Sequence, residues 1–229
     1  MQLKTLITTV TLIVGMSMSY HYVQAATSAE QQHANYLLEE EKLARDLYLS
    51  LGEKWALMPF QNIPASEQKH FDSMKQLIQS YLKQNPVVNE TIGKFNNPEL
   101  QALYNQLLTQ GLKSPQAALQ VGALVEETDI ADLQKALADT QNPQSRQVYD
   151  ELMRGSRNHL RSFVKQLTAQ GIEYKAQVLP EAEVQAILNS PQERGNGQGA
   201  GHGGGMGQGR GMGHGQGMGR GMGQGQGAD

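Results

Sequence analysis

Glu67 and His70 stand three residues apart in Ile63-Pro64-Ala65-Ser66-Glu67-Gln68-Lys69-His70, a spacing that puts both on one face of a helix. Ile63, Glu67, His70, Met74, Leu77 and Tyr81 follow one another at steps of four, three, four, three and four, which is the seam of a bundle helix. An acid and an imidazole therefore occupy positions that should face a core. A buried carboxylate needs a partner. A mutual hydrogen bond at a helix surface would satisfy this pair, and so would a metal ion held inside a bundle.

Three further stretches repeat the arrangement. Leu37, Glu41, Ala44 and Tyr48 form a stripe on a first helix expected from Ser28 to about Leu51, ended by Gly52. Leu119, Gly122, Glu126, Asp129, Leu133 and Ala136 form another, on a helix opened by Ser114-Pro115 and running to about Ala138. Val148, Leu152, Gly155, His159 and Phe163 form the last, on a helix opened by Asn142-Pro143 and running to about Gln170. A capping Ser or Asn followed by Pro is a helix start signal. Each of the four long helices thus carries a possible metal ligand in its seam: Glu41, then Glu67 with His70, then Glu126 with Asp129 one turn on, then His159. Carboxylates and imidazoles converging in a bundle core are the ligand set of a pair of iron or manganese ions. A polar hydrogen-bond network without metal is the competing reading.

The elements that must position these residues make an all-α chain. The helix with Glu67 and His70 should end near Gln84, before Pro86, and a loop with Trp55 and Pro59 precedes it. Asn97-Pro98 opens a short extra helix to about Gln110, between the second and third long helices, and another short helix spans Pro180 to Leu188. Tyr174 to Leu179 is the one weak strand candidate. Glu39 and Glu40 fall off the first stripe and read as a solvated acidic face. Glu127 is likewise turned away from its seam, and Arg45 lies at the spacing that pairs with Glu41.

Both ends of the 229-residue chain differ from its centre. Residues 1–25 read as an export signal, with Lys4 as the sole charge, an apolar run from Leu6 to Met18 and small residues before Ala26. That run is short for a membrane span. Residues 195–229 are Gly-rich with Gln, Met, His and Arg, a composition expected to be disordered. Met206, Met212, Met218, Met222, His202 and His214 in that tail offer soft and imidazole ligands that suit copper. The single domain expected is therefore 27–194. Net charge is −3, and the centre is more acidic still, which argues against a nucleic-acid binder. There is no cysteine, so thiolate sites and disulfides are excluded.

Glu41-Lys42-Leu43-Ala44-Arg45-Asp46-Leu47-Tyr48 resembles the Glu-x-x-Ala-Arg-x-x-Tyr signature of rubrerythrins, in the ferritin-like superfamily. The stretch from about Glu39 to Gln170 resembles the family called domain of unknown function 2202, through residues 39–46, Ala-Ser-Glu-Gln-Lys-His at 65–70 and Gly-Ser-Arg-Asn-His-Leu at 155–160. The resemblance implies a ferritin-like four-helix bundle with a carboxylate-bridged dimetal site, and no assigned reaction. The chain departs from the full motif at Ser156, where a second Glu-x-x-His needs an acid; Asp129 can supply the missing oxygen. Expected partners are metal ions and dioxygen or peroxide, with a homodimer as one admissible assembly, in a periplasmic or secreted location. Ferrous oxidation or peroxide reduction is the leading activity. A non-enzymatic metal-homeostasis protein and a structural bundle without catalysis are the alternatives.

Overall fold

The computed structural model describes residues 28–195. The export signal and all but the first residue of the glycine-rich tail lie outside the described residues. The described chain is all-helical, with α1 (Ser28–Trp55), α2 (Met58–Asn62), α3 (Pro64–Ser80), α4 (Pro98–Gly111), α5 (Pro115–Asp139), α6 (Pro143–Thr168) and α7 (Glu181–Asn189). The start signals act as the local chemistry requires. The Asn97, Ser114 and Asn142 side chains accept hydrogen bonds from backbone N–H groups of the first turns of α4, α5 and α6, and a proline follows each cap, where its missing N–H costs nothing. The four long helices pack in a closed ring: α1 against α3 and α5, and α6 against the same two. α4 lies on α1 and α5, α7 lies on α6, and α2 links α1, α3 and α6. No helix among the described residues is long and apolar enough to cross a membrane.

Three boundaries differ from the sequence expectation, the simplest being the end of α3 at Ser80 rather than near Gln84. α1 continues one turn beyond Gly52, and Ala56, with φ 45°, takes the left-handed conformation after its end. Gly52 serves packing there: a Cβ on it would stand 3.2 Å from both Cβ and the carbonyl oxygen of Phe60. The stretch with Pro59 is the short helix α2, which sends Phe60 into the core. Its ring meets those of Tyr48 and Phe163 at centroid separations of 5.8 and 5.3 Å, and Tyr48 meets Phe163 at 5.1 Å, within the range where tilted aromatic pairs attract.

The larger correction concerns α1. Residues 37–48 are buried on every side of the helix, because α4 and the connection before it cover the face that an isolated bundle would leave wet. Glu39 and Glu40 are therefore buried rather than solvated. Glu39 accepts the N–H groups of Asn96 and Asn97 at 2.9 and 2.8 Å, anchoring the start of α4. Lys42 is fully buried; its Nζ donates to Asp46 and to the carbonyls of Thr91 and Lys94, and it lies 4.4 Å from the Phe95 ring centre. Asp46 also accepts from Arg45 Nε and the Gly93 N–H, both at 2.9 Å. Arg45 spends its other donors on Asp46 and Gln68, so the expected pairing with Glu41 does not form.

The strand candidate is resolved in the same way. Among the described residues there is no strand. The N–H groups of Gln177, Val178 and Leu179 and the Tyr174 hydroxyl all donate to Glu127. A carboxylate with several donors can be buried without a cation, and Glu127 fastens the segment before α7 onto α5. Replacing Asp46 with Ala would leave the Lys42 ammonium buried without its counter-charge. The expected loss is about 3–5 kcal/mol of folding stability, read as a lowered midpoint in urea denaturation.

Candidate metal centre

The seam acids and imidazoles meet at one level of the helical ring. Glu41 comes from α1, Glu67 and His70 from α3, Glu126 from α5 and His159 from α6. They form two clusters, Glu41 with Glu67 and His70, and Glu67 with Glu126 and His159; within each, one ligand atom per residue lies within 4.8 Å of the others. Glu67 belongs to both. Its Oε2 lies 2.9 Å from His70 Nδ1, and its Oε1 lies 2.7 Å from His159 Nδ1. His70 Nδ1 is also 3.2 Å from Glu41 Oε2, and His159 Nδ1 is 3.4 Å from Glu126 Oε2. The two imidazole rings stack with centroids 5.5 Å apart.

Glu41, Glu67 and Glu126 are each 2% exposed. Several of their polar atoms lack a hydrogen bond: Glu41 Oε1, Glu67 Oε1 and His159 Nδ1, together with Asp129 Oδ1. The 2.7 Å approach of His159 to Glu67 is thus a charge contact without hydrogen-bond alignment. Buried polar atoms are rarely left in this state. Their shared feature here is that they belong to oxygen and imidazole ligand types gathered around one interior point, a donor set that fits hard or borderline divalent cations.

Electrostatics points the same way. Burial pushes the Glu41 and Asp129 carboxyls up, and burial with the neighbouring Glu67 charge pushes Glu126 up to about 7. Burial also acts to raise Glu67, but the flanking His159 and His70 outweigh it and hold that carboxyl well below the usual range. Burial opposes charging of the imidazoles. The carboxylates win, carrying His159 up to about 10 and His70 well above its ordinary value. Without metal, the two imidazoliums supply the positive charge that neutralises the acids.

Four residues outside the clusters shape them. Tyr48 donates from its hydroxyl to Glu126 Oε1 at 2.7 Å. Ser156 donates to Asp129 Oδ2, so the residue standing where a fourth-helix acid was expected orients the acid of the neighbouring helix. Asp129 faces the centre through its charge interactions with Glu41, Glu126 and Glu67, while belonging to neither three-residue cluster. Gly155 makes room for His70: a Cβ on it would stand 2.5 Å from Cε1 and Nε2 of that ring. The glycine in a seam one turn before His159 was the only sequence signal of this close approach. The imidazole side of the centre borders a cavity of about 590 Å³ between α3 and α6.

An all-helical domain holding two acid–imidazole clusters joined through one glutamate is the class these observations define. The chain belongs to the family described as an uncharacterized protein domain, DUF2202, which matches residues 30–191. It is 45% identical over 172 residues to the uncharacterized protein MJ0754 of Methanocaldococcus jannaschii, across 75% of this chain and 93% of that protein. The crystal structure of that hypothetical protein superposes with a TM-score of 0.72 at 44% identity, covering 74% of this chain and 97% of that one.

Gly155→Ala should force the His70 ring aside, at a cost of about 1–3 kcal/mol for overpacking, checked by urea denaturation together with the His70 imidazole resonances. For the metal-free protein, the proton-binding sign is definite. Glu126 and His159 both hold their protons more tightly when folded, so their contribution is complete below their ordinary values and is lost as pH rises through about 7 and then about 10. The melting temperature in chelator-treated buffer should therefore fall across that interval, as measured by circular dichroism.

Proposed function

We propose that the protein is a ferritin-like four-helix bundle that binds a pair of iron or manganese ions and uses them in redox chemistry or metal handling. The observation that carries the reading is the position of Glu67, which shares its two carboxylate oxygens between two clusters, each completed by one further acid and one imidazole. Glu41 and His70 would hold one ion and Glu126 and His159 the other, with Glu67 between them and Asp129 as an additional oxygen donor. Such a pair of ions supplies Lewis acidity and, when reduced, electrons for dioxygen or peroxide. The chain's own residues do the rest. Tyr48 fixes the Glu126 carboxylate, Ser156 fixes Asp129, and Gly155 lets His70 sit close against α6. Such outer hydrogen bonds orient ligands and tune their basicity. The export pattern in residues 1–25 supports a periplasmic or secreted setting for this activity.

Metal loading must displace the protons that the clusters hold near neutrality. Titrating Fe²⁺ or Mn²⁺ into weakly buffered full-length protein at neutral pH should release about two protons per pair of ions, from His70 and His159, with a further share from Glu126. Glu67→Ala, which removes the residue common to both clusters, should abolish both the bound metal in elemental analysis and the proton release. Ferrous oxidation followed with dioxygen and with peroxide then separates a redox enzyme from a metal-binding protein. Full metal content and oxidation rate in Glu67→Ala would end the proposal.

A further inference from the structure

One set of buried acids is unused by the two clusters. Glu40 lies off the α1 seam, next to Glu41, is 4% exposed, and its Oε2 has no hydrogen-bond partner. Its carboxyl interacts through its charge with Asp132 on α5. Asp132 is half-buried and lines a cavity of about 920 Å³ bounded by α1, α5 and the connection before α4. One turn back along α5, Asp129 is 5% exposed, leaves Oδ1 unpartnered, and interacts through its charge with both Glu40 and Glu41. Because α1 packs directly on α5, Asp132, Glu40, Asp129 and Glu41 form a stepwise series of carboxyls from a surface cavity to the centre.

This series is not accounted for by folding. Glu39 and Glu127, two other buried acids of these helices, each collect backbone N–H donors; Glu40 and Asp129 each keep a free oxygen. Unpartnered buried carboxyl oxygens are costly, and oxygen ligands in sequence are what a hard divalent cation needs to shed water by stages. The charge on the two cavities also differs. The cavity between α3 and α6 carries Lys69 and Arg154 beside Glu151 and Glu193, and its floor is imidazole. The cavity at Asp132 also contains Lys135 and His33, but His33 faces Asp139 at 3.5 Å, and the acids beyond Asp132, Glu40 and Asp129, are more deeply buried than it is.

We propose that Asp132, Glu40 and Asp129 are the route by which divalent cations pass from the α1–α5 cavity to the centre, with Glu40 a transit ligand. The inference rests on the metal reading above, and the test separates the two. Co²⁺ is added to the full metal-free chain, and its uptake is followed by the visible absorption of the bound ion. Glu40→Gln and Asp132→Asn keep the side-chain shape and remove the charge. Both should slow uptake by about tenfold or more, the scale on which a charged cleft focuses ions, while the final amount bound equals that of the wild type. Arg154→Ala, in the opposite cavity, should load at the wild-type rate. Unchanged rates in both acid variants overturn the route, as does slowed loading in Arg154→Ala. A lowered final capacity in Glu40→Gln overturns it differently, by making Glu40 a resident ligand. A wild-type chain that takes up no Co²⁺ overturns the metal reading and the route with it.

Discussion

Glu67 is buried between two imidazoles, with one carboxylate oxygen given to each. A carboxylate in that position is tolerable only if positive charge stands on both sides of it. Much of the surrounding structure serves that requirement. α3 and α6 must approach closely enough to bring His70 beside His159, and Gly155 permits it by having no side chain in the way. α1 and α5 must then supply Glu41 and Glu126 at the same level, which ties the register of all four long helices to one side chain.

The chain contains two ways of burying an acid. Glu39, Asp46 and Glu127 are saturated with N–H, ammonium or guanidinium donors, and each fastens a non-helical segment to a long helix. Glu41, Glu67 and Asp129 retain unpartnered oxygens. Fully donated carboxylates are structural anchors. Undersatisfied ones at a common interior level are a reservoir of unmet interaction. The same helices thus hold fold-making and ligand-type acids on different faces.

Ser156 couples α6 to an acid of the neighbouring helix. A second Glu-x-x-His would place an acid on α6. Here the acid is on α5, at Asp129, and α6 contributes the hydroxyl that orients it. The exchange keeps a carboxyl near the centre while leaving it outside the two tight clusters.

By itself the sequence determined the helical character, the start of nearly every helix and the seam residues Glu41, Glu67, His70, Glu126 and His159. These are local properties: a cap and a proline act on the first turn, and a three–four step decides which side chains share a face. It also placed Ser156 and Asp129 as the point of departure. What only the tertiary structure decided was the fate of everything off the seams. Glu39 and Glu40 read as a wet face because periodicity assumes that a helix has one buried side, whereas α4 and its connection cover the face of α1 that α3 and α5 leave open. Glu127 and the segment from Tyr174 to Leu179 could not be paired in advance, since a carboxylate meeting backbone N–H groups about 50 residues away leaves no trace in local spacing. Periodicity reports one helix at a time; burial and partnership depend on what the rest of the chain lays against it.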